Sequence, residues 1–340
     1  MSFDEDLLLN ILITFFFGFI FYNFKILKDR KKLYSHKSFL SPYLKPVFAG
    51  GIIIFINLLF LLELKFINYF IFLFFILIIG LSSDLDILKS PKLRIILQIL
   101  VIFFLVYNLN LYVHSVRISF IDKILNLQFF KFFFSIICLL ILINGTNFMD
   151  GVNGLVIGYY LIISLIMINT FNNGEIQYLQ FEILKIIFVV LICLYLMNFF
   201  EIIYLGDSGS YLISIIIGVF LIEFYNNNRN MSPYYIVNLL WYPAYENLFS
   251  IIRKIKNKKS AFSPDNQHFH QLFYLLLKNK IKFNKYLNSL TGLLINLFNL
   301  IILILASMNY DNTKYQLYLL VFSVFVYTTI YYKILKLQKT

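Results

Sequence analysis

Charge is scarce in this sequence. Only 14% of its 340 residues are charged and 60% are hydrophobic, whereas about a quarter of the residues in a soluble domain are charged. So little polar surface cannot coat a globule of this size, so the apolar surface is expected to face lipid. Cysteine is scarce as well: Cys138 and Cys193 both lie in apolar runs, a placement that argues against a disulfide framework.

Long apolar runs dominate what is present. A bilayer core needs about 20 mainly apolar residues per helix, so the sequence predicts an all-α integral membrane protein with about eleven transmembrane helices. The chain is expected to form a single polytopic domain over 1–340. The candidate spans are 7–24, 47–63, 66–82, 94–113, 125–143, 155–171, 184–200, 210–224, 233–252, 291–308 and 316–335. Pro243 and Glu246 interrupt the ninth span, so we expect it to be broken or to lie partly at the interface.

The basic residues predict how these spans are oriented. With the N-terminus outside, 22 of the 29 Lys and Arg residues fall in inner segments and the other seven in outer segments. Basic connections stay on the cytoplasmic side of a membrane, so the N-terminus is expected outside and the C-terminus inside. The net charge of +12 follows this membrane pattern and is not interpreted as a nucleic-acid surface.

Unusual polar motifs occupy four connections, all of which the charge rule places on the cytoplasmic side. They are Gly80–Arg94, Asn144–Leu155, Leu205–Ser210 and Ala261–Gln271. The outer connections of the sequence carry nothing comparable. The sequence therefore predicts a polar site at the cytoplasmic surface, built from segments far apart along the chain.

Each motif has a plain structural interpretation beside a functional one. Asp84 could be a solvated or capping carboxylate at a helix end. Asn147 and Asp150 are three residues apart and share a helical face at the membrane boundary, where an ionisable group is costly unless it is solvated or paired. Gly206–Ser210 could be a turn that caps the eighth span, yet Asp207 among small residues leaves a carboxylate open to Mg²⁺.

The two histidines of the last motif suit an anion better than a metal. His268 and His270 are two residues apart, which is a natural spacing in an extended loop. A zinc site is not expected, because no cysteine or third histidine stands nearby. Arg253 and its neighbouring lysines favour anion binding. Together the motifs suit a Mg²⁺-held diphosphate at the inner membrane surface.

In their order and spacing these motifs resemble those of the polyprenyl-phosphate N-acetylhexosamine-1-phosphate transferases. This is the WecA/TagO-like group of glycosyltransferase family 4, to which MraY-like enzymes are more distantly similar. The resemblance covers roughly spans two to nine. It rests mainly on Asn144–Leu155 and Gly206–Ser210, and also on Pro264–His270 and Trp241–Glu246.

The resemblance implies transfer of a sugar 1-phosphate from a UDP-N-acetyl sugar to polyprenyl phosphate, with release of UMP. It implies Mg²⁺ as cofactor, with Mn²⁺ as an alternative ion, and the bacterial cytoplasmic membrane as location. The implied metal ligands are Asp207 and Asp84. The implied catalytic residues are Asp84, Asp150, His268 and His270, and the implied substrate-binding residues are Asn147, Asn153, Arg253 and Asp265.

Some positions depart from the family pattern. Ser83 stands where the family usually has the first of two aspartates, and Asp86 is the nearby carboxylate that could take its place. Asn153 stands where many relatives have aspartate, and Gln271 takes the third position of the histidine loop. The sequence leaves open a catalytically silent relative that binds nucleotide sugar or lipid, and also a transporter, although neither midspan charges nor an inverted repeat is evident. The sugar, the downstream glycan and a homo-oligomeric state are also left open.

Overall fold

The computed structural model describes residues 3–27, 47–60, 67–171, 178–228, 230–258, 260, 267–281 and 285–338. Within these ranges the chain is all-α, as predicted. Its helices are α1 (Phe3–Phe24), α2 (Gly50–Leu59), α3 (Ile67–Asp84), α4 (Pro91–Leu109), α5 (Ser119–Leu125), α6 (Gln128–Met149), α7 (Leu155–Phe171), α8 (Tyr178–Phe199), α9 (Gly206–Asn227), α10 (Pro233–Leu239), α11 (Trp241–Lys256), α12 (Phe269–Lys280), α13 (Leu287–Met308) and α14 (Thr313–Leu337).

Seven of the described helices are long and apolar enough to cross a bilayer: α1, α4, α6, α8, α9, α13 and α14. Three shorter apolar helices, α2, α3 and α7, coincide with further predicted spans. Apolar segments form helices because a helix satisfies all its interior backbone hydrogen bonds within the segment.

Helix α9 lies at the centre of the molecule. Nearly all of its residues are buried, and it packs against α2, α3 and α6. A single parallel bridge between Phe48 and Tyr204 joins the segment before α2 to the segment before α9. The first turn of α9 is thereby fixed among the ends of its neighbours.

The predicted ninth span is broken, as expected. It forms α10 and α11, which meet at Leu240. Pro243 has no N–H to donate to the carbonyl of Leu239 four residues earlier. That carbonyl instead accepts a hydrogen bond from the Tyr159 hydroxyl at 2.9 Å. The break therefore follows from one proline, and a neighbouring helix supplies the missing donor.

Two of the predicted spans, 94–113 and 125–143, have wrong boundaries. The span predicted at 94–113 starts earlier, because Ser90 caps α4 and Pro91 occupies its first turn. The helix ends at Leu109, because the next residue, Asn110, adopts a left-handed conformation (φ 50°). The span predicted at 125–143 continues to Met149. Asn144 and Asn147 therefore lie on the last turns of α6 and not in a connection.

Candidate active site

Asp84 and the first turn of α9 form one unit. The side-chain oxygens of Asp84, the last residue of α3, accept hydrogen bonds from the backbone N–H groups of Asp207 (2.8 Å) and Ser208 (3.0 Å). These are N-terminal amides of α9 with no partner inside the helix. Asp84 is thus a capping carboxylate, as its plain interpretation predicted, although the helix it caps is distant in sequence.

Asp207 is held by three side chains from three different segments. Its Oδ1 accepts from the Asn147 amide at 2.7 Å, and its Oδ2 accepts from the Ser83 hydroxyl at 2.5 Å. The Arg94 guanidinium donates to the same Oδ2 at 3.0 Å and to Ser83 Oγ at 2.6 Å. We refer to Ser83, Asp84, Arg94, Asn147 and Asp207 as the carboxylate cluster.

The cluster is shielded but still accessible. The side chains of Arg94 and Asp207 keep 23% and 15% of their exposure.

The pKa of Asp84 is raised well above its usual range, mainly by burial of its carboxyl and secondly by the charge of Asp207. Asp84 lies beyond the end of the predicted span 66–82, at the boundary of the apolar region. A further cation would relieve the repulsion between its carboxylate and that of Asp207.

The carboxylates of the cluster are candidate ligands for Mg²⁺. Among the described residues, no group of three or more His, Cys, Asp or Glu side chains could hold a metal ion. Mg²⁺ needs less, since one or two carboxylates completed by water and substrate phosphate suffice. A carboxylate accepts about four hydrogen bonds, and from the described residues the Asp207 side chain accepts the three given above. Asp207 and Asp84 therefore fit a magnesium ion shared with a substrate.

The C-terminal end of α6 joins this cluster to the histidine pair, His268 and His270. Asn147 contacts Asp207, and the next residue, Phe148, packs against the His268 ring with 5.3 Å between ring centroids. Asp150 caps the end of α6. A Cβ atom on Gly151 would lie only 2.0 Å from His270 Nε2, so the close approach of His270 requires glycine at that position.

The histidine pair opens α12. The rings of His268 and His270 are stacked, with centroids 5.7 Å apart and planes 14° apart. His268 Nδ1 lies 2.8 Å from Oε1 of Glu246 in α11. Behind the pair, Lys254 is buried and its Nζ lies 5.5 Å from the centre of the Phe148 ring.

Two predicted substrate-binding residues make contacts with the protein itself. Asn153 is buried; its backbone N–H donates to Asn288 Oδ1 at 3.1 Å, and its side chain reaches Glu201 at 3.4 Å. Arg253 donates to the Gln267 carbonyl at 2.5 Å. Both residues thus brace connections next to the site. Asp265, also predicted to bind substrate, lies outside the described residues.

Arg94 and Glu246 were missed as site residues by the sequence prediction. A guanidinium in the first turn of a helix is opposed by the helix dipole, and this disfavoured position was a signal for Arg94. In the sequence, Glu246 interrupts the ninth span and ends the Trp241–Glu246 segment, and neither feature assigns it a role in the site. An ionisable group inside an apolar segment is by default a functional candidate, so the signal was present there too.

The chain is similar to known sugar-phosphate transferases. A glycosyl transferase family 4 profile matches residues 66–225. The chain is 26% identical to the probable undecaprenyl-phosphate N-acetylglucosaminyl 1-phosphate transferase of Bacillus subtilis, over 58% of this chain and 55% of that protein. It is 27% identical to the undecaprenyl-phosphate alpha-N-acetylglucosaminyl 1-phosphate transferase of Thermotoga maritima, over 66% of this chain and 67% of that protein.

A third relative is the decaprenyl-phosphate N-acetylglucosaminephosphotransferase of Mycobacterium leprae, 31% identical over 38% of this chain and 37% of that protein. The match spans just over half the length of the Bacillus subtilis protein. The carboxylate cluster lies wholly within the family match, whereas Glu246 and the histidine pair lie beyond it.

Proposed function

We propose that the chain is a member of glycosyl transferase family 4, whose profile matches residues 66–225. On this basis we infer that it transfers an N-acetylhexosamine 1-phosphate from a UDP-sugar to polyprenyl phosphate, releasing UMP. The observation that carries the proposal is the carboxylate cluster around Asp207, joined by one helix end to the histidine pair. Relatives named for N-acetylglucosaminyl 1-phosphate transfer make UDP-N-acetylglucosamine the first donor to test. The product would begin synthesis of a lipid-linked surface polysaccharide.

In this proposal Asp207 and Asp84 hold Mg²⁺. The ion, when bound, neutralises charge on the diphosphate oxygens of the donor. Arg94 leaves Asp207 to contact a phosphate oxygen, because guanidinium pairs well with phosphate as well as with carboxylate. Asn147 keeps the Asp207 carboxylate in place through its bond to Oδ1.

The other site residues bind and orient the two substrates. The acceptor phosphate attacks the β-phosphorus of the UDP-sugar, and the bond from that phosphorus to the oxygen bridging to UMP breaks. The histidine pair contacts the phosphate oxygens, and Asp150 and Asn153 contact the nucleotide. Ser83 cannot act as a carboxylate base, but the acceptor needs none, since a phosphate monoester with a second pKa of about 6 is largely ionised at neutral pH.

The proposed membrane topology would give the site access both to a lipid in the bilayer and to a sugar nucleotide in the cytoplasm. We propose eleven spans within a single domain, with the N-terminus outside and the site on the cytoplasmic face of a bacterial inner membrane. The broken ninth span supports lipid access. Leu248, Ile252 and Ile255 form an exposed apolar stripe along α11 (44%, 63% and 64% exposed), next to the basic end of the helix.

The test is a transfer assay with purified protein in detergent. Radiolabelled UDP-N-acetylhexosamines are offered one at a time with polyprenyl phosphate and Mg²⁺, and lipid-linked sugar and UMP are measured. We expect product with at least one sugar, and none from Asp207→Asn. The matched control is Asp311→Asn, an exposed aspartate at the opposite ends of the helices, which should keep wild-type activity. Mg²⁺-dependent turnover by Asp207→Asn would refute its role as metal ligand.

One observation favours a second function. Ser83 and Arg94 both contact Asp207 Oδ2, so this oxygen of the proposed metal ligand is occupied by the protein's own side chains. A catalytically silent relative that binds a nucleotide sugar would show this arrangement permanently. Binding of UDP-sugars without transfer of any sugar in the panel would favour that function over the transferase.

A further inference from the structure

Glu246 is the most deeply buried acid next to the site. It lies on α11 with only 1% of its surface exposed. An isolated buried carboxylate would be strongly disfavoured, but three donors converge on this one. His268 Nδ1 lies at 2.8 Å, the Phe269 N–H donates at 3.2 Å, and the Tyr327 hydroxyl donates at 2.5 Å. Three hydrogen bonds favour the ionised carboxylate.

The contact with Glu246 determines which nitrogen of the His268 ring is left to bind a substrate. With Nδ1 engaged by Glu246, Nε2 is the ring nitrogen through which His268 can reach a phosphate. A carboxylate on one imidazole nitrogen fixes the orientation of the ring. Stacking on the His270 ring and packing against the tilted Phe148 ring limit rotation of the His268 ring.

The last helix holds this arrangement from behind. Tyr327 on α14 is buried and bonds to Glu246, and Tyr331, one turn later, donates to the Gln267 carbonyl at 3.0 Å. Gln338, at the C-terminal end of α14, donates to the Leu272 carbonyl at 3.0 Å. Helix α14 therefore connects to both sides of the histidine pair, although it lies outside the region matched by the family.

We propose that Glu246 is a positioning residue for the transfer reaction, which holds His268 so that Nε2 donates to a substrate phosphate oxygen. Tyr327 keeps the Glu246 carboxylate in place. Glu246 acts on the reaction through His268 alone, without touching either substrate. This inference rests on the proposed transferase function.

A double-mutant cycle tests the dependence on His268. The kinetic constants kcat and KM are measured for wild type, Glu246→Gln, His268→Ala and the double variant. We expect Glu246→Gln to lower kcat by about 10- to 100-fold, the size of the loss when a metal-bound histidine loses the partner that orients it. In the His268→Ala background the same substitution should have no further effect, because interacting residues are non-additive. A merely structural role would lower the activity of both backgrounds by the same factor.

Two further variants separate charge from shape. Glu246→Asp keeps the carboxylate and should retain more activity than Glu246→Gln. Tyr327→Phe removes one of three donors and should cause a smaller loss. Glu223→Gln is the matched control, a shielded acid in α9 away from the site, and should leave kcat unchanged. Thermal unfolding of each variant checks that it folds, and if Glu246→Gln does not fold, the cycle is repeated with Tyr327→Phe.

The outcomes are distinct. Equal losses from Glu246→Gln with and without His268 overturn the inference while the transferase function stands. Wild-type protein that forms no lipid-linked sugar overturns the proposed function and the inference together. A loss confined to the background that retains His268 supports both.

Discussion

A single added methyl group at Gly206 should disturb both the fold and the site. The backbone there has a φ of +74°, and a Cβ would lie 2.7 Å from Asp84 Oδ2. The left-handed conformation costs an L-residue roughly 1–2 kcal/mol. Pushing Asp84 away from the α9 amides removes a cap worth about 0.5–2 kcal/mol. Gly206→Ala should therefore destabilise the protein by about 1.5–4 kcal/mol.

Unfolding and transfer measured on the same detergent-purified samples check this prediction. The variant should unfold at a lower temperature, and its remaining folded fraction should transfer sugar phosphate more slowly, because Asp84 has moved. Gly18→Ala is the matched control, since a Cβ there would meet only the flexible end of Met197, at 2.6 Å. A Gly206→Ala protein that unfolds and turns over like wild type would refute the argument that Asp84 and the α9 terminus form one unit.

Three other predictions concern the charges and the metal. Arg94→Ala should lower kcat/KM by at least about tenfold, or ~1.4 kcal/mol, while stability changes by less than about 1 kcal/mol because the ion pair is partly exposed; unchanged kinetics would contradict its phosphate-binding role. Removing divalent cations with EDTA should abolish transfer, and added Mg²⁺ should restore it; full activity in EDTA would contradict the metal site. Arg117 donates to the Asn230 and Met231 carbonyls at 3.0 Å and 2.7 Å. Arg117→Ala should therefore cost about 1–3 kcal/mol of unfolding free energy without changing turnover per folded molecule. Lys314→Ala is the control for this variant.

Apolar periodicity and length predicted most helices of the described chain, because a lipid-facing helix needs a long run without charge. The span predicted at 155–171 coincides with α7 at both ends. One boundary failed because α6 continues past its apolar run to Met149, and another because local backbone chemistry ended the helix before the apolar run did. The left-handed Asn110 ends α4 although apolar residues continue. Short helices such as α5 and α12 carry too few apolar residues to be recognised by length.

Grouping of the polar motifs on one face was predicted from Lys and Arg positions alone. In the structure, Asp207 contacts both Asp84 and Asn147, so residues of three of these motifs lie together at neighbouring helix ends. The partners of each side chain could not be predicted. Which donor reaches Asp207 Oδ2 depends on the angle between α3, α4 and α9, and no spacing within one segment encodes that angle.

The break between α10 and α11 shows how one residue controls several of these contacts. Pro243 interrupts the hydrogen bonds of the ninth span, and the freed Leu239 carbonyl would be costly in an apolar region without another donor. The buried Tyr159 hydroxyl supplies it at 2.9 Å. After the break, α11 packs against α6, where the Asn247 side chain donates to the Ile141 carbonyl at 3.1 Å. Glu246 directly precedes Asn247 in the sequence, so the same packing brings it within hydrogen-bond distance of His268. The interruption that made the ninth span a poor membrane helix therefore also connects this span to the site.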